Sequence, residues 1–289
     1  MKVLIEKELH SSDKILKPDF TSRSGRELLV FYLQSKFRQV LAYDKKCNVP
    51  LFKSVNPDFI SKFSRRLIDN PSKRLIIGIT GESASGKSTI CKEIKNNIEK
   101  YNLPVSILST DNYFNDISEN IKKYGGFDNL RDAGFDLDAP SNFQLDTLRD
   151  DLVLLSQGHD IMAPMYLPNG TGVSVPNAQK IMSNKIVVVE GIATMYENVQ
   201  DVFDIKIYVE TDSEIRKERF ITRACNERNQ DEENAIKHWN YLIDIGSKYV
   251  KPFREHADLI LDGSVNLNYF ADILEYMYAI TNNFEHSVN

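Results

Sequence analysis

The stretch Arg74-Leu75-Ile76-Ile77-Gly78-Ile79-Thr80-Gly81-Glu82-Ser83-Ala84-Ser85-Gly86-Lys87-Ser88-Thr89 decides the fold. Its first half is a β-branched apolar run, as expected of a strand buried on both faces. Its second half satisfies GxxxxGK[ST] at every fixed position, and the residues from Lys87 read as a helix to about Lys100. Strand, glycine-bearing loop and helix in that order form a P-loop. Glycines let the backbone curl until its N–H groups converge on phosphate oxygens, and the helix start adds the positive end of its dipole. Gly81, Glu82, Ser83, Ala84, Ser85, Gly86, Lys87, Ser88 and Thr89 are therefore the expected ATP-binding residues. Lys87 is expected to reach the β- and γ-phosphates, and the Ser88 hydroxyl to ligate Mg²⁺.

Working outward, Val105-Ser106-Ile107-Leu108, Ile186-Val187-Val188-Val189, Ile205-Lys206-Ile207-Tyr208-Val209 and Leu259-Ile260-Leu261 read as further buried strands separated by helical stretches. Strands alternating with helices predict an α/β fold, a P-loop NTPase-like parallel sheet flanked by helices. Upstream, Leu29, Phe31, Leu33, Phe37, Val40 and Leu41 recur at helical spacing over 26–43. Asn56-Pro57 opens a second helix carrying Phe59, Ile60, Phe63 and Leu67. Residues 1–70 are read as a helical N-terminal extension, and 71–289 as the P-loop domain.

The 289 residues carry a formal charge of -5 and 42% apolar side chains, enough for a large core. No global basic field recruits nucleic acid, and the apolar runs are far too short for a membrane span. Three cysteines, odd in number and widely spaced, form no disulfide framework and no metal pattern. A cytoplasmic protein acting on a small molecule is expected, and a homo-oligomer is left open.

In open α/β sheets ligands bind beyond the carboxyl ends of the strands. Asp111 follows strand 105–108 and Glu190 ends the run 186–189, so one acid is placed to hold Mg²⁺ and another to accept a proton. Spacing leaves open which does which. After strand 205–209, Asp212 is expected to cap a helix carrying Arg216, Arg219 and Arg223, which fall within about 60° of one another on one face, with Arg228 beyond. Such a stripe reads either as a lid over ATP phosphates or as a solvated face pairing with Glu214, Glu218 and Glu227. His159, His238 and His256 are isolated, Trp239 falls in a presumed helix over 232–249, and Met162 and Met165 are expected to fill the core.

These segments, in this order, resemble the uridine kinase branch of the uridine kinase/phosphoribulokinase/pantothenate kinase family over about 75–263. Leu108-Ser109-Thr110-Asp111-Asn112-Tyr113-Phe114 is similar to the family's strand-end segment whose aspartate is the catalytic base, which implies that role for Asp111. The family's FDxPxAF segment is matched at Phe135-Asp136 with an insertion before Pro140, and the resemblance implies that Asp136 holds the acceptor hydroxyls. Val188-Val189-Glu190-Gly191-Ile192 is similar to the VEGI segment, implying Glu190 in the Mg²⁺ site. The lid helix implies Arg216 toward the nucleotide, Arg219 and Arg223 in catalysis, and Arg228 toward the substrate. Ala257-Asp258-Leu259-Ile260-Leu261 resembles the family's last strand. Where uridine kinases carry Y-x-F-x-x-H to read the pyrimidine, this chain keeps Tyr166 and has Pro168 and Thr171, so a ring stack and a donor are replaced together. The resemblance implies an ATP- and Mg²⁺-dependent kinase of a small hydroxyl compound, a nucleoside first, with pantothenate, glycerate or a sugar phosphate as alternatives. A P-loop ATPase working through protein contacts, or a regulatory nucleotide-binding relative, also stays open.

Overall fold

The computed structural model describes residues 22–265, apart from 49, 71–72, 100–103, 168–169 and 229. The chain opens with α1 (Arg23–Asp44), β1 (Phe52–Val55), α2 (Phe59–Asp69), β2 (Leu75–Thr80) and α3 (Lys87–Glu99). Next come β3 (Val105–Ser109), α4 (Ser118–Tyr124), α5 (Phe127–Asp132) and α6 (Leu145–Ser156). The hairpin β4 (Ile161–Tyr166) and β5 (Ser174–Ile181) precedes β6 (Ile186–Glu190) and β7 (Ile205–Glu210). Helices α7 (Ser213–Arg228) and α8 (Glu232–Tyr249) and strand β8 (Leu259–Asp262) complete the described fold.

The main sheet runs β1-β8-β7-β2-β6-β3. All pairs among the last five strands are parallel, so β2 sits centrally between β6 and β7. Every residue of β2 is buried, as its unbroken apolar run requires. Along it Ile77 and Ile79 face one layer, with Ile90, Ile94 and Ile98 of α3 and Phe59 and Phe63 of α2. Ile76 faces the other, with Leu148, Leu152 and Leu155 of α6. The register sets Glu190 opposite both Ile79 and Ser109, so the strand ends carrying the P-loop, Asp111 and Glu190 open at one edge.

Both expected upstream helices are present, and between them lies a strand that sequence periodicity did not reveal. The buried Asp44 carboxylate accepts the N–H groups of Leu51 and Phe52 at 2.8 and 3.0 Å, turning the chain into β1. This strand pairs antiparallel with β8 and covers that edge of the sheet. Helix α2 is then pinned by Arg66, whose Nε donates to Asp204 Oδ1 at 2.8 Å. The other Asp204 oxygen accepts the Ile76 N–H of β2 at 2.9 Å.

The β4–β5 hairpin forms a separate two-stranded sheet whose register shifts between Ala163 and Met165, around Pro164. Proline has no N–H for a ladder and is tolerated at such irregularities. Met162 and Met165, expected in the core, stand 48% and 36% exposed on this hairpin. A two-stranded sheet covers only one of its faces, and they lie on the other. No helix among the described residues is long and apolar enough to cross a membrane.

Candidate active site

The loop between β2 and α3 depends on backbone that only glycine adopts easily. Gly81 has φ +148°, and a Cβ there would lie 2.4 Å from the Val209 carbonyl oxygen. The loop therefore nests against the end of β7, and Thr211 Oγ1 donates to Ser85 O at 2.8 Å to hold it. Lys87 begins α3 and turns back over the loop, its Nζ donating to Gly81 O at 2.7 Å and Glu82 O at 3.0 Å. Burial lowers the Lys87 pKa, opposed by Glu190, Asp111 and Asp138, while Arg223 lowers it further. Five charged groups thus surround the loop mouth.

Ser88 and Glu190 meet there, with Ser88 Oγ 3.3 Å from Glu190 Oε2. Thr89 follows on the exposed side of α3. Gly191 makes the approach possible: its φ is +132°, and a Cβ there would stand 2.0 Å from Thr110 Oγ1. The turn bearing Glu190 therefore presses against the 3₁₀ turn Thr110–Tyr113, which bears Asp111. The Ser109 hydroxyl caps that turn by accepting the Asp111 N–H at 3.3 Å.

The segment 135–142, expected to hold the acceptor, differs from the sequence reading over which of its aspartates is buried. Asp136 is held by the Lys248 ammonium and by the Tyr249 hydroxyl, the latter at 2.8 Å, and these hydrogen bonds lower its pKa, Lys248 first. Asp138, which sequence reasoning passed over, is the buried carboxylate of this segment. Desolvation first, then the charges of Asp111 and Asp136, push it up to about 7, with Lys87 pulling the other way. A signal for it existed. Leu137-Asp138-Ala139-Pro140-Ser141-Asn142-Phe143 fits FDxPxAF without any insertion, leucine and asparagine standing for phenylalanine and alanine. Tyr241 fixes the segment's backbone, its hydroxyl accepting from Leu137 N at 2.9 Å and donating to Phe135 O at 2.7 Å.

Tyr166 is half-buried, its ring 5.3 Å from Phe114, which lies 4.2 Å from Phe143. It packs against the cluster of Ile117, just before α4, Ile121 of α4 and Leu130 of α5, as Leu137 also does. Thr171 is exposed, and Pro168 lies outside the described residues.

The arginines of α7 do not act alike. Arg223 is near enough to Lys87 to oppose its charge, and Arg219 Nη1 donates to Gly263 O at 3.2 Å. Arg216 is buried against the P-loop, donating to Glu82 Oε1 at 3.1 Å and to Ser83 O at 3.4 Å. Its ion pair is thus with Glu82 of the loop, across the fold, and not with a neighbour on its own helix such as Glu214 or Glu218. Arg228 ends α7, and its side chain lies outside the described residues.

The sequence pattern of the phosphoribulokinase / uridine kinase family matches residues 76–267. The uridine kinase of Staphylococcus haemolyticus is 32% identical over 64% of this chain and 86% of its own length. That of Chlamydia pneumoniae is 30% identical over 69% of this chain and 86% of its own. Among solved structures, a protein described as a fructose transport system kinase from Silicibacter sp. TM1040 superposes with a TM-score of 0.51 at 15% identity. It covers 65% of this chain and 91% of its own, and attests to the fold alone. With the P-loop, the strand-end acids and the lid helix in the family's order, the chain belongs to the phosphoribulokinase/uridine kinase family and is an ATP-dependent small-molecule kinase.

Proposed function

We propose that this kinase moves the γ-phosphoryl group of ATP to a hydroxyl of a nucleoside-like acceptor that presents neighbouring hydroxyls. The observation that carries the reading is the convergence of Asp111, Asp138 and Lys87 at one mouth. Asp111 accepts the proton of the attacking hydroxyl as the new O–P bond forms and the bond to the β-phosphate oxygen breaks, releasing ADP. Asp138 holds and orients the acceptor's hydroxyls, a task that suits a buried carboxyl better than the ion-paired Asp136. The P-loop N–H groups and Lys87 hold the β- and γ-phosphates, and Arg219 and Arg223 spread the charge that builds on the transferring group.

Ser88 and Glu190 fit a divalent cation: a hydroxyl and a carboxylate stand 3.3 Å apart beside the phosphate lysine. Among the described residues no cluster of three or more His, Cys, Asp or Glu is arranged for a metal. That suits Mg²⁺, which keeps waters and takes phosphate oxygens around one or two protein ligands. When bound, the ion would neutralise phosphate charge.

Tyr166, with Phe114 and Leu137 near it, forms the apolar wall for the rest of the acceptor. The test is an ADP-release screen over nucleosides, pantothenate, glycerate and sugar phosphates. Turnover with a nucleoside supports the reading. Turnover with only a non-nucleoside would keep the kinase chemistry and overturn the nucleoside assignment, with the Pro168 and Thr171 replacements as its cause.

A further inference from the structure

Glu82 is an ill-suited neighbour for a triphosphate, since a free carboxylate in the phosphate loop repels the ligand that the loop holds. The fold draws this charge away from the loop mouth. Glu82 Oε1 accepts from Arg216 Nη2 at 3.1 Å. On its other side is α8, where a Cβ on Gly246 would stand 3.6 Å from the same oxygen. Arg216 is 5% exposed, lies 5.5 Å from the Trp239 ring of α8, and has a buried Nε with no hydrogen-bond partner among the described residues. Ala84 packs into the cluster of Phe220, Ala224, Ala235 and Trp239 that joins α7 to α8. Loop residues Glu82, Ser83 and Ala84 are thus all fastened to this helix pair. The same helix grips the acceptor segment: Lys248 and Tyr249, just beyond Gly246, hold Asp136, and Tyr241 holds Phe135 and Leu137.

We propose that Glu82 and Arg216 are positioning residues that fasten the phosphate loop to the α7–α8 pair, so that α8 couples order in the loop to order in the acceptor segment 135–142. The inference rests on the reading that the loop binds nucleotide. A buried guanidinium with one anionic partner is strongly disturbed when that partner is removed, so losing either residue releases the same latch. Coupling of this kind is reciprocal: nucleotide that orders the loop also orders the acceptor segment.

The test uses full-length protein and MgADP as the probe, with affinity from calorimetry for the wild type, E82A, R216A, the double variant and K87A. The latch predicts that E82A and R216A each weaken MgADP about tenfold and that the double variant is no more than about twofold worse than the weaker single one. E82Q, which keeps an acceptor oxygen for Arg216 but not the charge, recovers only part of the loss and binds MgADP better than E82A. By amide hydrogen exchange, MgADP slows exchange across 135–142 in the wild type and not in E82A. If E82A tightens MgADP while R216A weakens it, Arg216 is a phosphate ligand and the latch is overturned. Multiplying effects, or unaltered protection of 135–142 in E82A, overturn it as well. Should R216A fail to fold, E82A, E82Q and the exchange pattern decide the matter. Wild type that binds MgADP no better than K87A overturns the nucleotide reading and the latch together. Normal wild-type binding with K87A inactive and multiplying effects overturns the latch alone.

Discussion

Asp138 is buried beside Asp111, and desolvation together with that neighbouring charge pushes the Asp138 carboxyl up to about 7. The charge of the acid proposed to take the proton therefore helps to keep a proton on the acid proposed to orient the acceptor. A carboxyl that holds its proton beside another acid is suited to a different role from its neighbour.

The raised Asp138 value makes stability depend on pH in a defined direction. The folded state favours its proton, so this contribution is full below about 4, the ordinary aspartate range, and is lost as pH rises through about 7. Thermal melting of D138N against the wild type should show the variant gaining relative stability across that window. In D111N the upper end of the window moves down, because a like charge has gone. A wild-type difference that is flat from pH 4 to 8 would refute the assignment.

Asp111→Asn should lower turnover by about 10²–10⁴-fold while leaving MgATP affinity within about threefold. Single-turnover kinetics and calorimetry separate the two. A loss of nucleotide affinity matching the loss of turnover would remove Asp111 from the base role.

Ser88→Ala and Glu190→Gln should each raise the Mg²⁺ concentration giving half-maximal turnover by about 10–100-fold, and chelation by EDTA should abolish activity in the wild type. A Mg²⁺ titration at saturating ATP measures this. An unchanged midpoint in both variants would take the metal away from the pair.

Asp204→Ala should destabilise the fold by about 3–5 kcal/mol, because it leaves the part-buried Arg66 without its anion and the Ile76 N–H without its acceptor. Urea unfolding reads the loss. A change under about 1 kcal/mol would mean that α2 is held by its aromatic packing alone.

Much of the fold was legible because its signals are local. The central strands are largely apolar runs, broken only by Ser106 in β3 and Lys206 in β7, and β2, β3, β6, β7 and β8 stand where those runs lie. The four-residue β1 has no such run. It exists because it pairs with β8, Phe52 against Leu261, across most of the chain. The hairpin strands were hidden by Pro164 and by the mixed polarity of a sheet with one open face.

At the site, the phosphate loop was legible from local sequence, since its glycines, Lys87 and Ser88 act through backbone geometry within a few residues. The sequence also placed a carboxylate at or just after the end of each of two strands, β3 and β6, which the sheet sets in succession on one side of β2. Which of Asp136 and Asp138 is buried beside Asp111, and which of three arginines on one helix face turns inward to Glu82, depends on the packing of segments distant in sequence. Arginines on one stripe are equivalent by spacing, and spacing favours Asp138 over Asp136 only through the fit to a family pattern, not through any sign of burial. Desolvation and charge pairing tell them apart, and both depend on what distant segments, chiefly α8, bring against them.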